Sequence, residues 1–203
     1  MDYKEFCAKY HVRLNDQQST AVQRVNGATL LLAVPGSGKT TVIVARTGYL
    51  LHVVGIDPRN ILTITFTKAA AREMKERFCK KFGEVNGHVP HFSTINSFCL
   101  SVIKTCAREK GITIPELVPN NEPIIRDIDR TMMRDYPSDS TIKSLAQSIG
   151  KVKNELMEND QIKQIEEEGI DFYEFYLKYK AHLTDNGLMD FDDQLLMANG
   201  LLD

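Results

Sequence analysis

The chain has no C-x-x-C pair, no apolar run near the length of a membrane span, and no basic, apolar leader at its start. Its four cysteines, Cys7, Cys79, Cys99 and Cys106, follow no zinc-ligand spacing. They read as buried free thiols rather than as a metal or disulfide site, and a reducing cytoplasm fits them. A helix that crosses a bilayer needs about 20 consecutive apolar residues. None exists here, so no membrane partner is expected. Met1-Asp2-Tyr3-Lys4-Glu5 has neither the basic nor the apolar segment of a signal peptide. Low-complexity tracts and internal repeats are also absent. What remains is an ordinary soluble globular composition, 42% hydrophobic and 26% charged over 203 residues. That length suffices for one large domain or two small ones.

Charge of one sign is scarce in each half. Residues 1–110 carry 16 Lys and Arg against 8 Asp and Glu, while residues 111–203 carry 9 against 19. A net near +8 beside one near −10 is hidden in an overall −2. The basic half is able to face a polyanion, although helix faces solvated by Lys and Arg give the same count.

The stretch Ala33-Val34-Pro35-Gly36-Ser37-Gly38-Lys39-Thr40-Thr41 lies in that basic half. It fits the phosphate-cradling pattern G-x-x-x-x-G-K-[ST], with Ala33 at the first glycine position. Ala28-Thr29-Leu30-Leu31-Leu32 before it reads as a buried strand, and Thr41 to Leu51 after it as a helix. A strand that feeds a Gly-rich turn and a helix start presents free N–H groups and the positive end of the helix dipole to an anion. Lys39, the candidate catalytic residue, would reach the β- and γ-phosphates, and the Thr40 hydroxyl would hold Mg²⁺. Upstream, Asn15 is a predicted N-cap, with an apolar stripe following at Ala21, Val22 and Val25. The Gln18 amide behind it offers the donor and acceptor that adenine's N6/N7 edge needs, though a glutamine in a first helical turn is usually plain surface.

Further along, Ile61 to Phe66 reads as a strand, Thr67 to Phe82 as a helix, His91 to Ser93 as a strand and Thr94 to about Lys110 as a helix. Strand, crossover helix and strand make a βαβ unit with a parallel sheet. Thr65, Phe66 and Thr67 fall at a strand's carboxyl end, where open α/β sheets bind ligands. Phe66 is either core or a stacking platform for a base. From Gly111 onward no strand is predicted. Helices are expected over 121–136, 138–156, 158–168, 171–183 and 190–202. Phe172, Phe175, Tyr176, Tyr179 and Leu183 form a core stripe on the fourth. Asp190, Asp192 and Asp193 lie on the last and read as solvated surface.

In this order the segments resemble the amino-terminal part of UvrD/Rep/PcrA-type superfamily 1 DNA helicases. Leu14-Asn15-x-x-Gln18 is similar to the family's adenine-reading Q motif, and Ala33 to Thr40 to its phosphate loop, leading alanine included. Thr65-Phe66-Thr67 with Ala70-Ala71-Arg72-Glu73-Met74 resembles motif Ia, and Thr94-Ile95-Asn96-Ser97-Phe98 resembles motif Ib. Lys153-Asn154-Glu155-Leu156 and Met189-Asp190-Phe191-Asp192-Asp193 are similar to segments of the family's helical subdomain. There are departures. Lys68-Ala69 stand where motif Ia usually has Asn-Lys, Asn96 where motif Ib often has His, and Thr41 where many members have Arg.

The resemblance implies ATP and Mg²⁺ as cofactors and 3′-to-5′ translocation on single-stranded DNA by the complete enzyme. It implies nucleotide contacts from Gln18 and from Ala33, Val34, Pro35, Gly36, Ser37, Gly38, Lys39, Thr40 and Thr41. It places Phe66 under a base and Thr67, Thr94 and Asn96 along the DNA backbone. The family's strand ending in Asp-Glu has no counterpart, since that dipeptide occurs nowhere in the sequence. The expectation is therefore a truncated piece whose partner is the missing remainder of the helicase. Its fold would be an α/β, P-loop (RecA-like) half-domain with a parallel sheet, followed by an all-helical subdomain. Residues 1–110 would form the first part of the ATP-binding core, 111–189 a helical insertion and 190–203 the start of a return to the core. The rival readings are a nucleotide-dependent binding or regulatory module without catalysis, and an unrelated P-loop kinase.

Overall fold

The structure, a computed structural model, describes residues 1–202. The chain forms two compact units, one from Met1 to Ile95 and one from Asn96 onward. The boundary falls earlier than the change of composition at Gly111. The reason is that the helix after Thr94 buries Cys99 and Ile103 against Ala198, so it belongs with the second unit.

The first unit opens with α1 (Tyr3–Lys9) and α2 (Asp16–Gln23). Each starts with a reciprocal capping box, Asp2 with Glu5 and Asn15 with Gln18. Helix α3 (Lys39–Tyr49) runs into a π-helical turn, Leu50–Val54, closed by Gly55 in the left-handed region. Strand β1 (Leu62–Thr65), helix α4 (Lys68–Phe82) and strand β2 (His91–Thr94) follow. The strands pair in parallel, Leu62 opposite His91 and Thr65 opposite Thr94, with α4 as the crossover. The core is aromatic. Phe6 stacks on Phe82 at 5.6 Å, while Tyr10 and Phe78 meet Phe82 edge-on or tilted at 5.0 and 5.3 Å. Gly48 lets α3 approach α4 closely, because a Cβ there would lie 2.6 Å from the Phe82 ring.

Residues 28–32 correct the sequence reading. They are not a buried strand: the segment has no regular structure, and Leu30 and Leu32 are each 84% exposed. A strand exists only where a neighbour takes up its N–H and C=O groups. β1 and β2 pair with each other, and among the described residues no strand lies beside 28–32.

The second unit begins within α5 (Ile95–Lys110) and continues through β3 (Glu116–Leu117), α6 (Glu122–Met133), α7 (Asp139–Asn154), α8 (Asn159–Ile162), α9 (Phe172–Asp185), β4 (Leu188–Met189) and α10 (Phe191–Leu202). The predicted aromatic stripe is core: Phe172, Phe175, Tyr179 and Leu183 of α9 are buried with Ile125 of α6 and with Ile142, Leu145 and Ile149 of α7. Two readings are corrected. A two-residue parallel ladder does exist, with Glu116 opposite Leu188 and Leu117 opposite Met189. It is too short to show a period-2 pattern. The helix expected over 158–168 is a single turn. Beyond it the Glu167 carboxylate accepts hydrogen bonds from Ser144 at 2.7 Å and Ser148 at 2.5 Å, which holds that backbone as a turn ending at Gly169.

Candidate functional site

The loop between residue 33 and α3 is built from two glycines in the left-handed region, Gly36 at φ 79° and Gly38 at φ 85°. Gly38 is the N-cap of α3 and offers no side chain to the first turn, so those N–H groups point out of the helix without a cap. Side-chain donors hold the loop's carbonyls. Lys39 Nζ donates to the Ala33 oxygen at 3.2 Å, and Ser37 Oγ donates to the Val34 oxygen at 2.7 Å. Gln18 Nε2 donates to the Ser37 oxygen at 3.0 Å. Thr40 lies on the first turn of α3, half-buried, and Thr41 beside it is exposed. The structure thus brings Gln18 to the loop and gives its amide two protein partners: Oε1 also accepts from the Asn15 N–H at 3.0 Å.

Arg46 was not singled out in the sequence. Its Nη1 donates to the Ala21 oxygen at 2.5 Å and ties α3 to α2, which fixes Gln18 relative to the loop. No sequence pattern marks such a side-chain-to-carbonyl bond across 25 residues. The same unit holds a cleft of about 630 Å³ in which Lys9, Arg13, Arg77, Lys80 and Lys81 gather, with Thr41, Val44 and Ala45 of α3 among its lining.

The residues expected on DNA divide. Phe66 follows the carboxyl end of β1 and is 88% exposed. Thr67 caps α4, its Oγ1 accepting from the Ala70 N–H at 3.1 Å. Thr94, at the end of β2 in register with Thr65, is only 7% exposed, so its side chain is turned inward. Asn96 stands in the first turn of α5, and its carbonyl accepts from Gln194 Nε2 at 2.9 Å. Among the described residues, no group of three or more His, Cys, Asp or Glu side chains is placed to hold a metal ion, and no helix is long and apolar enough to cross a membrane.

The aspartates around the start of α10 correct the sequence reading. Asp190 is buried, not solvated: its Oδ2 meets Lys153 Nζ at 2.6 Å and accepts from the Tyr179 hydroxyl at 2.7 Å. Asp193 completes the group at 2.8 Å from Lys153, and Asp192 accepts from Asn154 at 3.1 Å. Burial works to raise the Asp190 carboxyl, but the hydrogen bonds and charge of Lys153 outweigh it and hold the group below its usual range. Burial, with Asp190 beside it, raises the Tyr179 phenol.

The UvrD/REP helicase N-terminal domain family matches residues 14–203. The chain is 30% identical over 190 residues to the ATP-dependent DNA helicase Rep of Buchnera aphidicola subsp. Baizongia pistaciae, covering 93% of this chain and 28% of that protein. It is 32% identical over 200 residues to the ATP-dependent DNA helicase PcrA of Staphylococcus aureus, covering 94% of this chain and 26% of that protein. PcrA of Staphylococcus epidermidis matches at 32% over 203 residues. The chain therefore spans about a quarter of the length of these relatives. A match from residue 14 onward, through both the glycine loop and the Lys153–Asp190 network, covers both units, and the chain belongs to the UvrD/REP helicase N-terminal domain family.

Proposed function

We propose that this chain is the P-loop, RecA-like amino-terminal part of an ATP-dependent DNA helicase. It binds ATP with Mg²⁺ at residues 33–41 and single-stranded DNA at the carboxyl ends of β1 and β2. The carrying observation is the uncapped start of α3 behind two left-handed glycines, which is the backbone form of a phosphate cradle. Lys39 supplies the charge once it leaves the Ala33 carbonyl. Mg²⁺ takes only one or two protein oxygens when it also binds substrate phosphates. The Thr40 hydroxyl, a hard oxygen on the first turn of α3, fits as one of them. When bound, the ion neutralises phosphate charge.

Phe66 offers a bare aromatic face to a base, with Thr67 and Asn96 along the DNA backbone and Thr94, turned inward, behind them at the end of β2. In this reading residues 1–110 are core, 111–189 a helical insertion and 190–203 the return to the core. The complete protein would move 3′ to 5′ along DNA in a reducing cytoplasm. The test is calorimetric titration with Mg²⁺ and ATP. Lys39→Ala loses about 1.5–3 kcal/mol, the range for a hydrogen bond to a charged group. Equal affinity in the two chains would overturn the reading.

A further inference from the structure

We propose that Gln18 is a positioning residue for the phosphate loop, effective whatever base the nucleotide carries. The inference rests on the reading of residues 33–41 as a phosphate cradle. Its basis is the orientation of one peptide group. A trans peptide is planar, and its C=O and N–H point in opposite directions. Gln18 Nε2 holds the Ser37 oxygen at 3.0 Å, which aims the Gly38 N–H the other way, away from Gln18. That N–H is the one immediately before Lys39, where the cradle needs a donor.

Without a holder this peptide is free to turn. Gly38 has no Cβ to resist rotation, and its φ of 85° lies where glycine alone is at ease. A flip would bring the Ser37 carbonyl into the cradle, where its negative end repels phosphate, and remove the Gly38 donor. Gln18 sits close enough to prevent this: a Cβ placed on Gly38 would lie 3.4 Å from Nε2. Its own position is fixed twice. Oε1 accepts from the Asn15 N–H at 3.0 Å, and its N–H donates to Asn15 Oδ1 at 2.9 Å. Arg46 then anchors α2 to α3 through the Ala21 carbonyl. The Ser37 hydroxyl is turned to the Val34 oxygen and does not hold its own carbonyl.

A residue that only reads adenine affects only adenine nucleotides. A residue that orients the cradle affects anything with a phosphate chain. The test titrates the whole chain, in Mg²⁺, with ATP, GTP and inorganic tripolyphosphate. Gln18→Ala weakens all three by the same factor, about 2- to 10-fold, the worth of one neutral hydrogen bond. Gln18→Glu keeps the acceptor for the Asn15 N–H but loses the donor to Ser37, so it weakens all three at least as much. Asn15→Ala removes the cap and leaves the Ser37 bond, and its loss is smaller although its melting temperature falls further than that of Gln18→Glu. A loss confined to ATP, or none in Gln18→Ala, overturns the inference. Wild type that binds none of the three ligands, or binds all as well with Lys39→Ala, overturns the phosphate-cradle reading and this inference with it.

Discussion

A lysine ammonium buried to 4% exposure is tolerable only where carboxylates and hydroxyls replace its water. Lys153 meets that condition with Asp190 and Asp193, while Tyr179 lies beneath it with the ring centroid 5.1 Å from Nζ. Asn121 satisfies the Tyr179 oxygen at 3.1 Å. Lys153→Met strips the counter-charge from Asp190 and costs about 3–5 kcal/mol near neutral pH, as breaking a buried pair does. The pH dependence follows from the shift. In the wild type the folded Asp190 value lies below the unfolded one, so its stabilisation is present above the ordinary carboxylate range and is lost as pH falls through the folded value. In the variant the Lys153 bond and charge are gone, so burial, the largest influence, is opposed only by the Asp193 N–H and the Tyr179 hydroxyl, the value rises, and acid relieves the penalty. Denaturant unfolding followed by circular dichroism at pH 7 and pH 4 should show the deficit shrinking toward acid. A deficit of equal size at both would mean lost packing, not an orphaned charge. Phe66 is the opposite case. It is 88% exposed, so Phe66→Ala leaves stability unchanged while lowering single-stranded DNA affinity by about 1–3 kcal/mol if a base stacks there. Fluorescence anisotropy with a labelled oligonucleotide reads the second half, and a melting curve the first.

At the scale of elements, the contact of α3 with α4 is set by Gly48. A methyl group there meets Phe82, and that ring cannot yield because Phe6, Tyr10 and Phe78 surround it. Alanine favours a helix by about 1 kcal/mol over glycine, whereas overpacking a filled core costs about 1–3 kcal/mol. Gly48→Ala therefore lowers the melting temperature, and an increase would show that the ring has room. The same contrast explains what could be read in advance. Asn15 with Gln18 and Thr67 with Ala70 are local devices, three residues apart, and the helices they start were legible. So was the α9 stripe, because its period lies within one helix. The Leu30–Leu32 run looked like a strand from its own residues, but a strand depends on a neighbour that local sequence does not specify. Lys153 and Asp190 are 37 residues apart on stretches that each look like a solvated helix face, and only their juxtaposition makes them core. Gln18 was legible as a candidate for the site, while its bond to Ser37, 19 residues on, was not.

Over the whole molecule, cation excess is concentrated in residues 1–110, and part of it lines the cleft around Lys80 and Lys81. DNA binding by this half should then be phosphate-driven and weaken steeply from 50 to 200 mM salt, whereas salt-independent affinity would contradict it. Hydrolysis is a separate matter. Phosphoryl transfer to water is positioning and charge stabilisation, and it needs a carboxylate for the metal's other side and a group that orients water. The residues after β1 are Phe66 and Thr67, and the residue after β2 is Ile95, so neither strand end carries an acid. The acidic run at the start of α10, from Asp190 to Asp193, is no substitute. Asp190 and Asp193 neutralise Lys153, and Asp192 is tied to Asn154 within the second unit. This 203-residue chain should therefore hold nucleotide without meaningful turnover, with or without DNA. Phosphate release measured on the purified chain with single-stranded DNA decides the point. Turnover near the typical enzyme rate of about 10 s⁻¹, abolished by Lys39→Ala, would mean that the chain recruits a catalytic carboxylate from outside these strand ends.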